Sequence, residues 1–317
     1  MYSSHTNLLG RNARSAFGTA LIASTFAWSA LARAQDSPVI KINAEAERSE
    51  IKVTPLRGGV SMLEGSGGNI GVLVNPADKF MVDAGISISK DKLSRALAGL
   101  GPAKVSRVVN THWHWDHTDG NPWLHDAGAE IIAHPRTAAY VAKTERVDDW
   151  SYTFHPLAAS GQPKVLVSTR KQYTVGGEKI DVVAIPPAHT DGDLYVHFKN
   201  ADVLFVGDTY WNGIYPFIDN EHGGSIDGMI RAADLSLKMA GPNTIIIPGH
   251  GPAATRAELE EYRAMLKTIR DNVAKLKGQG KDRDAVIAAK PSADYDAKWG
   301  QFLIDPAFFT RLVYDGL

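Results

Sequence analysis

Between Asn110 and Gly120 the chain reads NTHWHWDHTDG, three histidines and two aspartates within eleven positions. Imidazole and carboxylate together bind divalent cations, and the chain contains no cysteine, so any metal here must be held by nitrogen and oxygen. His112 and His114 are two apart after the apolar run VSRVV, so an extended backbone would point both rings to one side, where they could share an ion. Asp116 and His117 are adjacent and would diverge in a strand. A turn after His114, with Thr118-Asp119-Gly120 supplying the turn chemistry, would bring both round to a second ion. Surface histidines pair by chance, but four unrelated polar groups rarely crowd one strand end.

Three later stretches end in the same way. His189 closes VVAIPPAH, Asp208 closes VLFVGD and His250 closes IIIPGH, each an apolar run breaking into a glycine- or proline-marked turn. Asp83, in MVDAG, suits a carboxylate that orients an imidazole through its second nitrogen. His222, in NEHGGS, is the remaining histidine with a claim to line a pocket; His125, His134, His155 and His197 suit surface or strand-end positions, and His5 falls in the leading segment.

The elements around these residues alternate. From residue 51 to 85, short β-rich runs (IKVTPL, VSMLEG, NIGVLVN, KFMVDAG) are separated by glycine turns. Helical patterns over 90–100, 121–126 and 136–143 alternate with the strands VSRVVNTH and EIIAHP. A second strand block (KQYTV, KIDVVAIP, DLYVHFK, DVLFVGDT) precedes a helix over 225–240, the strand NTIIIPGHG and a long amphipathic helix over 256–277. The halves mirror each other, and two sheets packed face to face with helices outside would bury the pattern: a four-layer α/β sandwich. Residues 148–164, 210–224 and 291–317 read as irregular, and the first two are rich in aromatics.

In this order the motifs resemble the metallo-β-lactamase superfamily of metal-dependent hydrolases, over residues 51–251 or so. The resemblance implies that His112, His114 and His189 hold one ion, that Asp116, His117 and His250 hold the other, and that Asp208 bridges them. Two Zn2+ ions are expected, with iron or manganese as alternatives. Asp116 and Asp208 are the expected catalytic residues, and the reaction is hydrolysis by a hydroxide formed on the ions, since zinc lowers the pKa of bound water to about 7. Metallo-β-lactamases proper carry cysteine or serine where this chain has Asp208, which is closer to the lactonase, thioesterase and phosphodiesterase branches.

Composition narrows the partner. The 34 basic and 35 acidic residues give a net charge of −1, so no global field draws in nucleic acid or an anionic membrane, and a small-molecule substrate is expected. Arg11 and Arg14 precede a mostly apolar run over 16–32, followed by the small-x-small triplet Ala32-Arg33-Ala34. That pattern reads as a signal peptide over 1–34, leaving one hydrolase domain over 35–317, exported to the periplasm or beyond; the run is shorter than the ~20 residues of a spanning helix. No basic glutathione-binding domain is evident after His250, and no fused flavin domain that would suit di-iron redox chemistry. The expectation is a hydrolase that opens a cyclic amide or ester, with a thioesterase or phosphodiesterase as the rival and a di-iron oxidoreductase or metal-binding protein behind them. The segment leaving Asp208 carries Trp211, Tyr215 and Phe217, and is expected to face Trp115 or residues 148–163 across the cleft; Trp113 and Trp123 are further candidates for its walls.

Overall fold

The structure is a computed structural model that describes residues 37–317. The expected signal peptide over 1–34 lies outside the described residues.

Strands β1 (Lys52–Pro55), β2 (Val60–Glu64), β3 (Ile70–Val74) and β4 (Lys79–Val82) form an antiparallel meander. Strands β5 (Val105–Val109), β6 (Glu130–Ala133) and β9 (Val165–Leu166) extend it in parallel into a seven-stranded sheet. The second sheet is β10 (Arg170–Val175), β11 (Glu178–Ala184), β12 (Leu194–Phe198), β13 (Val203–Trp211) and β14 (Ile245–His250), antiparallel except for the last pair. A small hairpin, β7 (Glu145–Val147) with β8 (Tyr152–Phe154), stands apart.

Side-chain alternation explains the layering. In β4, Phe80 and Val82 enter the core between the sheets while Met81 faces outward. In β13, Val203 and Phe205 enter that core while Leu204 and Val206 face the other way. Both outer faces are covered, which is why the strands read as nearly continuous apolar runs. Helix α2 (Lys90–Gly99), through Leu93 and Leu97, covers the first sheet together with Leu124 of α4 (Asn121–Asp126). Helices α6 (Ile226–Met239) and α7 (Arg256–Gly278) cover the second. The four-layer α/β sandwich is as expected.

Several elements differ from the sequence expectation. A helix α1 (Pro38–Arg48) precedes the meander, and one turn of helix, α3 (Trp115–Thr118), stands inside the His/Asp motif. Helix α5 (Pro135–Val141) takes the expected place after β6. Residues 291–317 are not irregular: after α8 (Arg283–Ala288) they form α9 (Ala293–Trp299) and α10 (Pro306–Asp315), which bury Trp299, Phe309, Leu312 and Val313. The start signal of α10 is plain chemistry: the Asp305 side chain accepts from the Phe308 amide at 2.8 Å and Pro306 occupies the first turn. Segments 148–164 and 210–224 contain the hairpin strand β8 and the end of β13, so they are irregular only in part.

Candidate metal centre

β5 ends at Val109, and His112 and His114 lie in the bend beyond it rather than in extended strand. The turn expected from Thr118-Asp119-Gly120 is made earlier, by α3: the His117 amide donates to His114 O at 3.1 Å and Thr118 Oγ1 donates back to His114 O at 3.0 Å. The bend still converges the rings, through different nitrogens. His112 Nε2 and His189 Nε2 each lie 3.0 Å from His114 Nδ1.

The opposite nitrogens show why. His114 Nε2 donates to Asp219 Oδ2 at 3.0 Å, and His189 Nδ1 donates to Phe217 O at 3.0 Å. His117 Nδ1 donates to Asp83 Oδ2 at 2.8 Å. His112 Nδ1 donates to Thr111 Oγ1 at 3.0 Å, which itself donates to Asp83 Oδ2 at 2.8 Å. A neutral imidazole whose one N–H is fixed outward presents a lone pair inward. Three such nitrogens facing each other at hydrogen-bond distance have no proton to share, and a cation between them satisfies all three.

Asp208 stands between this group and a second one. Its Oδ1 is 3.0 Å from His117 Nε2, and its Oδ2 is 3.4 Å from His250 Nε2, 3.7 Å from His189 Nε2 and 3.9 Å from His112 Nε2. Asp116 Oδ2 lies 3.3 Å from His250 Nε2 and 3.6 Å from His117 Nε2. One nitrogen or oxygen of each of His112, His114, His189 and Asp208 lies within 4.8 Å of the others, as does one of each of Asp116, His117 and His250, and each group could hold a metal ion. His117 Nε2 and Asp208 Oδ1, though close, are buried without a hydrogen bond. Unpartnered buried polar atoms of this kind need a ligand, and the residue types present are those that hold divalent ions.

Charge separates the groups. Burial, aided by the neighbouring imidazole His117, pushes His112 well below its ordinary pKa, and burial takes His114 down to about 4, so both rings are neutral at pH 7. Burial would do the same to His117 and His250, but the carboxylates of Asp208 and Asp116 outweigh it: His117 is raised well above its usual value and His250 to about 9. Both carboxylates, despite burial, are held below the usual range by those imidazoles.

Packing leaves no slack. A Cβ on Gly249 would sit 1.9 Å from Asp208 Oδ1, and one on Gly68 would sit 2.2 Å from His117 Cε1, so glycine at each position lets the backbone approach the ligands. Asp83 is held at φ +64°, a left-handed backbone that aspartate tolerates better than most residues, and it takes the orienting role expected of it.

Two supporting carboxylates escaped the sequence reading. Asp219, fully buried, braces His114 and also accepts from His222 Nδ1 at 2.8 Å. His222 therefore does not line the cavity over the cluster; it stands behind Asp219, its ring 4.7 Å from that of Trp113. Asp193 accepts from the His189 amide at 2.9 Å and from Thr190 Oγ1, and burial raises its pKa to about 6. An aspartate three residues after Thr190 in a turn was the available signal. Trp211 and Phe217 share the cavity over the cluster with Trp115 and Trp150, as expected across the cleft. Tyr215 does not; its ring stacks on Phe309 at 4.4 Å and its hydroxyl donates to Asp296 at 2.9 Å. Trp113 and Trp123 line a separate, larger cavity beyond Trp115.

Comparison with known proteins agrees with this geometry. A sequence profile described as the metallo-beta-lactamase superfamily matches residues 63–250. An atrochrysone carboxyl ACP thioesterase of Aspergillus fumigatus is 25% identical over 158 residues, covering 50% of this chain and 44% of that protein. A hydroxyacylglutathione hydrolase of Gloeobacter violaceus is 32% identical over 120 residues, covering 37% and 39%. The chain thus spans about half or less of the length of these curated relatives. Among solved structures, a sec-alkylsulfatase from Pseudomonas sp. superposes with a TM-score of 0.62 at 15% identity, covering 83% of this chain and 50% of that one. A metallo-beta-lactamase from Pontibacter korlensis superposes with a TM-score of 0.55 at 18% identity, covering 69% and 99%; at such identities the likeness is one of fold. With the profile spanning more than half of the sequence and the sandwich matching in space, the chain belongs to the metallo-β-lactamase superfamily.

Proposed function

We propose that this metallohydrolase is dinuclear and opens a cyclic ester or amide, of lactone or β-lactam type. The observation that carries the reading is the pair of converging ligand groups with Asp208 between them. In this reading His112, His114 and His189 would hold one ion, Asp116, His117 and His250 would hold the other, and Asp208, which stands between the groups, would serve both. Nitrogen and oxygen ligands without thiolate suit zinc, with iron or manganese as the alternatives. Ions held there would supply the activation of water at neutral pH and the polarisation of the bond under attack.

The remaining steps fall to the chain. Asp116 lines the narrow cavity over the cluster, and its carboxylate takes the proton of the attacking water and returns it to the leaving group. Asp83 and Asp219 keep His117 and His114 from rotating. Trp115, Trp150, Trp211 and Phe217 exclude bulk water and hold the non-reacting part of the substrate. A lysine or arginine lines neither this cavity nor its neighbour on the Gly67 side, among the described residues, which favours an uncharged recognition element over a phosphodiester.

Thioester hydrolysis is the second reading, favoured by the thioesterase and hydroxyacylglutathione hydrolase relatives. Metal analysis together with a panel of lactones, β-lactams, thioesters and phosphodiesters separates the two. Lactone or β-lactam turnover above thioester turnover supports the first reading, and the reverse order overturns it. Residues 1–34 are proposed to direct export; mature protein from the native host then begins at Gln35, and an intact Met1 overturns that.

A further inference from the structure

The cavity over the ligand cluster has a volume of about 20 Å3, room for roughly one water molecule. No acyl substrate fits it in this conformation. Two other spaces lie beside it. One, of about 130 Å3, reaches His250 from the side of Gly65 and Gly67; the other, of about 510 Å3, lies beyond Trp115. The smallest space adjoins each of the other two through shared lining residues. Ile42, Phe302 and His250 border both smaller spaces, and Trp115 is the one residue common to the smallest and the largest.

Among the described elements α1 alone borders all three: Pro38 and Ile42 cap the cluster, Ile42 and Glu45 border the second space, and Val39 and Asn43 border the third. Asn43 also fixes the Trp115 partition, its Oδ1 accepting from Trp115 Nε1 at 2.9 Å. Yet α1 is lightly held. It buries two of its eleven residues, Val39 and Ala46, and no side-chain cap closes its first turn. Its C-terminal end is tied down separately, Lys92 Nζ donating to Ser49 O at 2.7 Å, so a swing would pivot there and, among the described residues, would have to withdraw Val39 from the core and break the Asn43–Trp115 bond. Elements with few buried contacts are the ones that open locally at low cost.

The largest space has the size of a small-molecule site. Trp113, Trp115, Trp123, Tyr152, Phe154 and Leu157 form much of its wall. Two lysines and one carboxylate, Lys90, Lys143 and Asp119, also line it, so its charged groups are of both signs, and Lys143 is already paired with Glu145 at 2.7 Å. We propose that α1 is a lid whose displacement joins the three spaces into one aromatic-walled cleft across the ligand cluster, and that the cleft takes an uncharged substrate with a bulky apolar arm, aryl or branched alkyl, in the largest space. The substrate half of this rests on the hydrolytic reading above; the lid and the arm pocket do not.

The test uses the full chain. In metal-loaded protein, Ile42→Ala with Asn43→Ala makes EDTA strip the ions about tenfold faster than in the wild type, and Asn43→Ala alone gives an intermediate rate. In equilibrium dialysis the wild type should bind 2-naphthol, and Leu157→Trp, which puts a larger side chain at the lining of the arm pocket, should weaken that binding about tenfold. Leu157→Trp also lowers the ratio of kcat/KM for 2-naphthyl acetate to that for ethyl acetate by about tenfold. Stripping at the wild-type rate in both α1 variants overturns the lid, and 2-naphthol binding indifferent to Leu157→Trp overturns the arm pocket. If stripping and dialysis behave as stated while neither ester is hydrolysed, the lid and pocket stand and the hydrolytic reading falls.

Discussion

The ligand cluster and the cap above it occupy the same end of the sandwich and are built in opposite ways. In the cluster, His112, His114, His117 and His189 each have the second nitrogen bound to a protein acceptor, and Asp83, Asp193 and Asp219 each accept more than one hydrogen bond. In the cap, α1 buries two side chains and Phe302 is 46% exposed. The difference teaches that preorganisation is concentrated where ligand geometry must be held, while access is left to elements that move. Damage to the cluster should appear in metal content and turnover; damage to the cap should appear in how fast the ions are stripped, and damage to the walls in substrate binding.

The largest effect is expected at the residue that joins the two ligand groups. Asp208→Ala should lower metal content below two ions per chain and cut hydrolysis by about a thousandfold, with the circular dichroism spectrum unchanged. Two ions per chain with normal turnover would show that Asp208 does not bridge. Metal removal should come next. Ions bound to the folded chain at about a thousand times their Kd stabilise it by about 4 kcal/mol, so calorimetry with and without EDTA should show a clear loss of Tm, followed by a cooperative transition because the braces are protein groups. A melting curve insensitive to EDTA would contradict the cluster as an ion site.

Asp219→Ala should weaken ion binding by about ten- to a hundredfold, since His114 loses the acceptor that fixes its inward lone pair. Competition with a chromogenic chelator measures it. Unchanged affinity would mean that His114 is held by packing alone.

How much of this was legible in the sequence depends on how far apart the cooperating residues lie. Four of the seven ligand candidates sit in one eleven-residue stretch, and each of the other three follows an apolar run in the sequence, so type and position pointed to them together; in the structure His250 closes its strand as expected, whereas Asp208 lies within β13 and His189 in the turn beyond β11. Asp219 offered no such pattern: it lies in an irregular segment, and the histidine it braces is 105 residues away. The bend at His112 was misjudged as strand because two-residue spacing converges rings in either conformation. Helix α9 is short and its apolar residues face α7 and the 210–224 segment, a tertiary surface that no local period reports, but α10 carries its own start signal in Asp305 and Pro306 and a helically spaced apolar face in Phe309, Leu312 and Val313, so its place among the irregular residues is a misreading. Helix α1 was missed for the same reason that suits it to move: it carries little buried surface.

The wall residues sharpen the contrast from the other side. Trp211 lies 4.3 Å from the His250 ring and lines the cavity over the cluster, so Trp211→Ala should raise KM about tenfold, the worth of roughly 1.5 kcal/mol of buried apolar contact, with kcat little changed. A normal KM with a clearly lowered Tm would make Trp211 a core residue instead.

Tyr215 provides the smallest and most discriminating case, because the same stretch of sequence suggested a cavity wall and the structure places the ring elsewhere. It is 1% exposed, stacked on Phe309 of α10, with its amide donating to Trp299 O at 2.7 Å and its hydroxyl to Asp296 at 2.9 Å. Burial, reinforced by that carboxylate, holds the phenol protonated far above its ordinary range, so the hydrogen bond persists across the working pH range. Tyr215→Phe keeps the stacked ring and removes only the hydroxyl, so the loss is that of one hydrogen bond, about 1 kcal/mol, or about 2–4 °C in Tm for a domain of this size. KM should not move, because neither Phe309 nor Asp296 borders the cavity over the cluster. A rise in KM with an unchanged Tm would return Tyr215 to the wall and show that the helices of residues 291–317 take part in holding the substrate, which would place the cap and the core on the same side of the comparison.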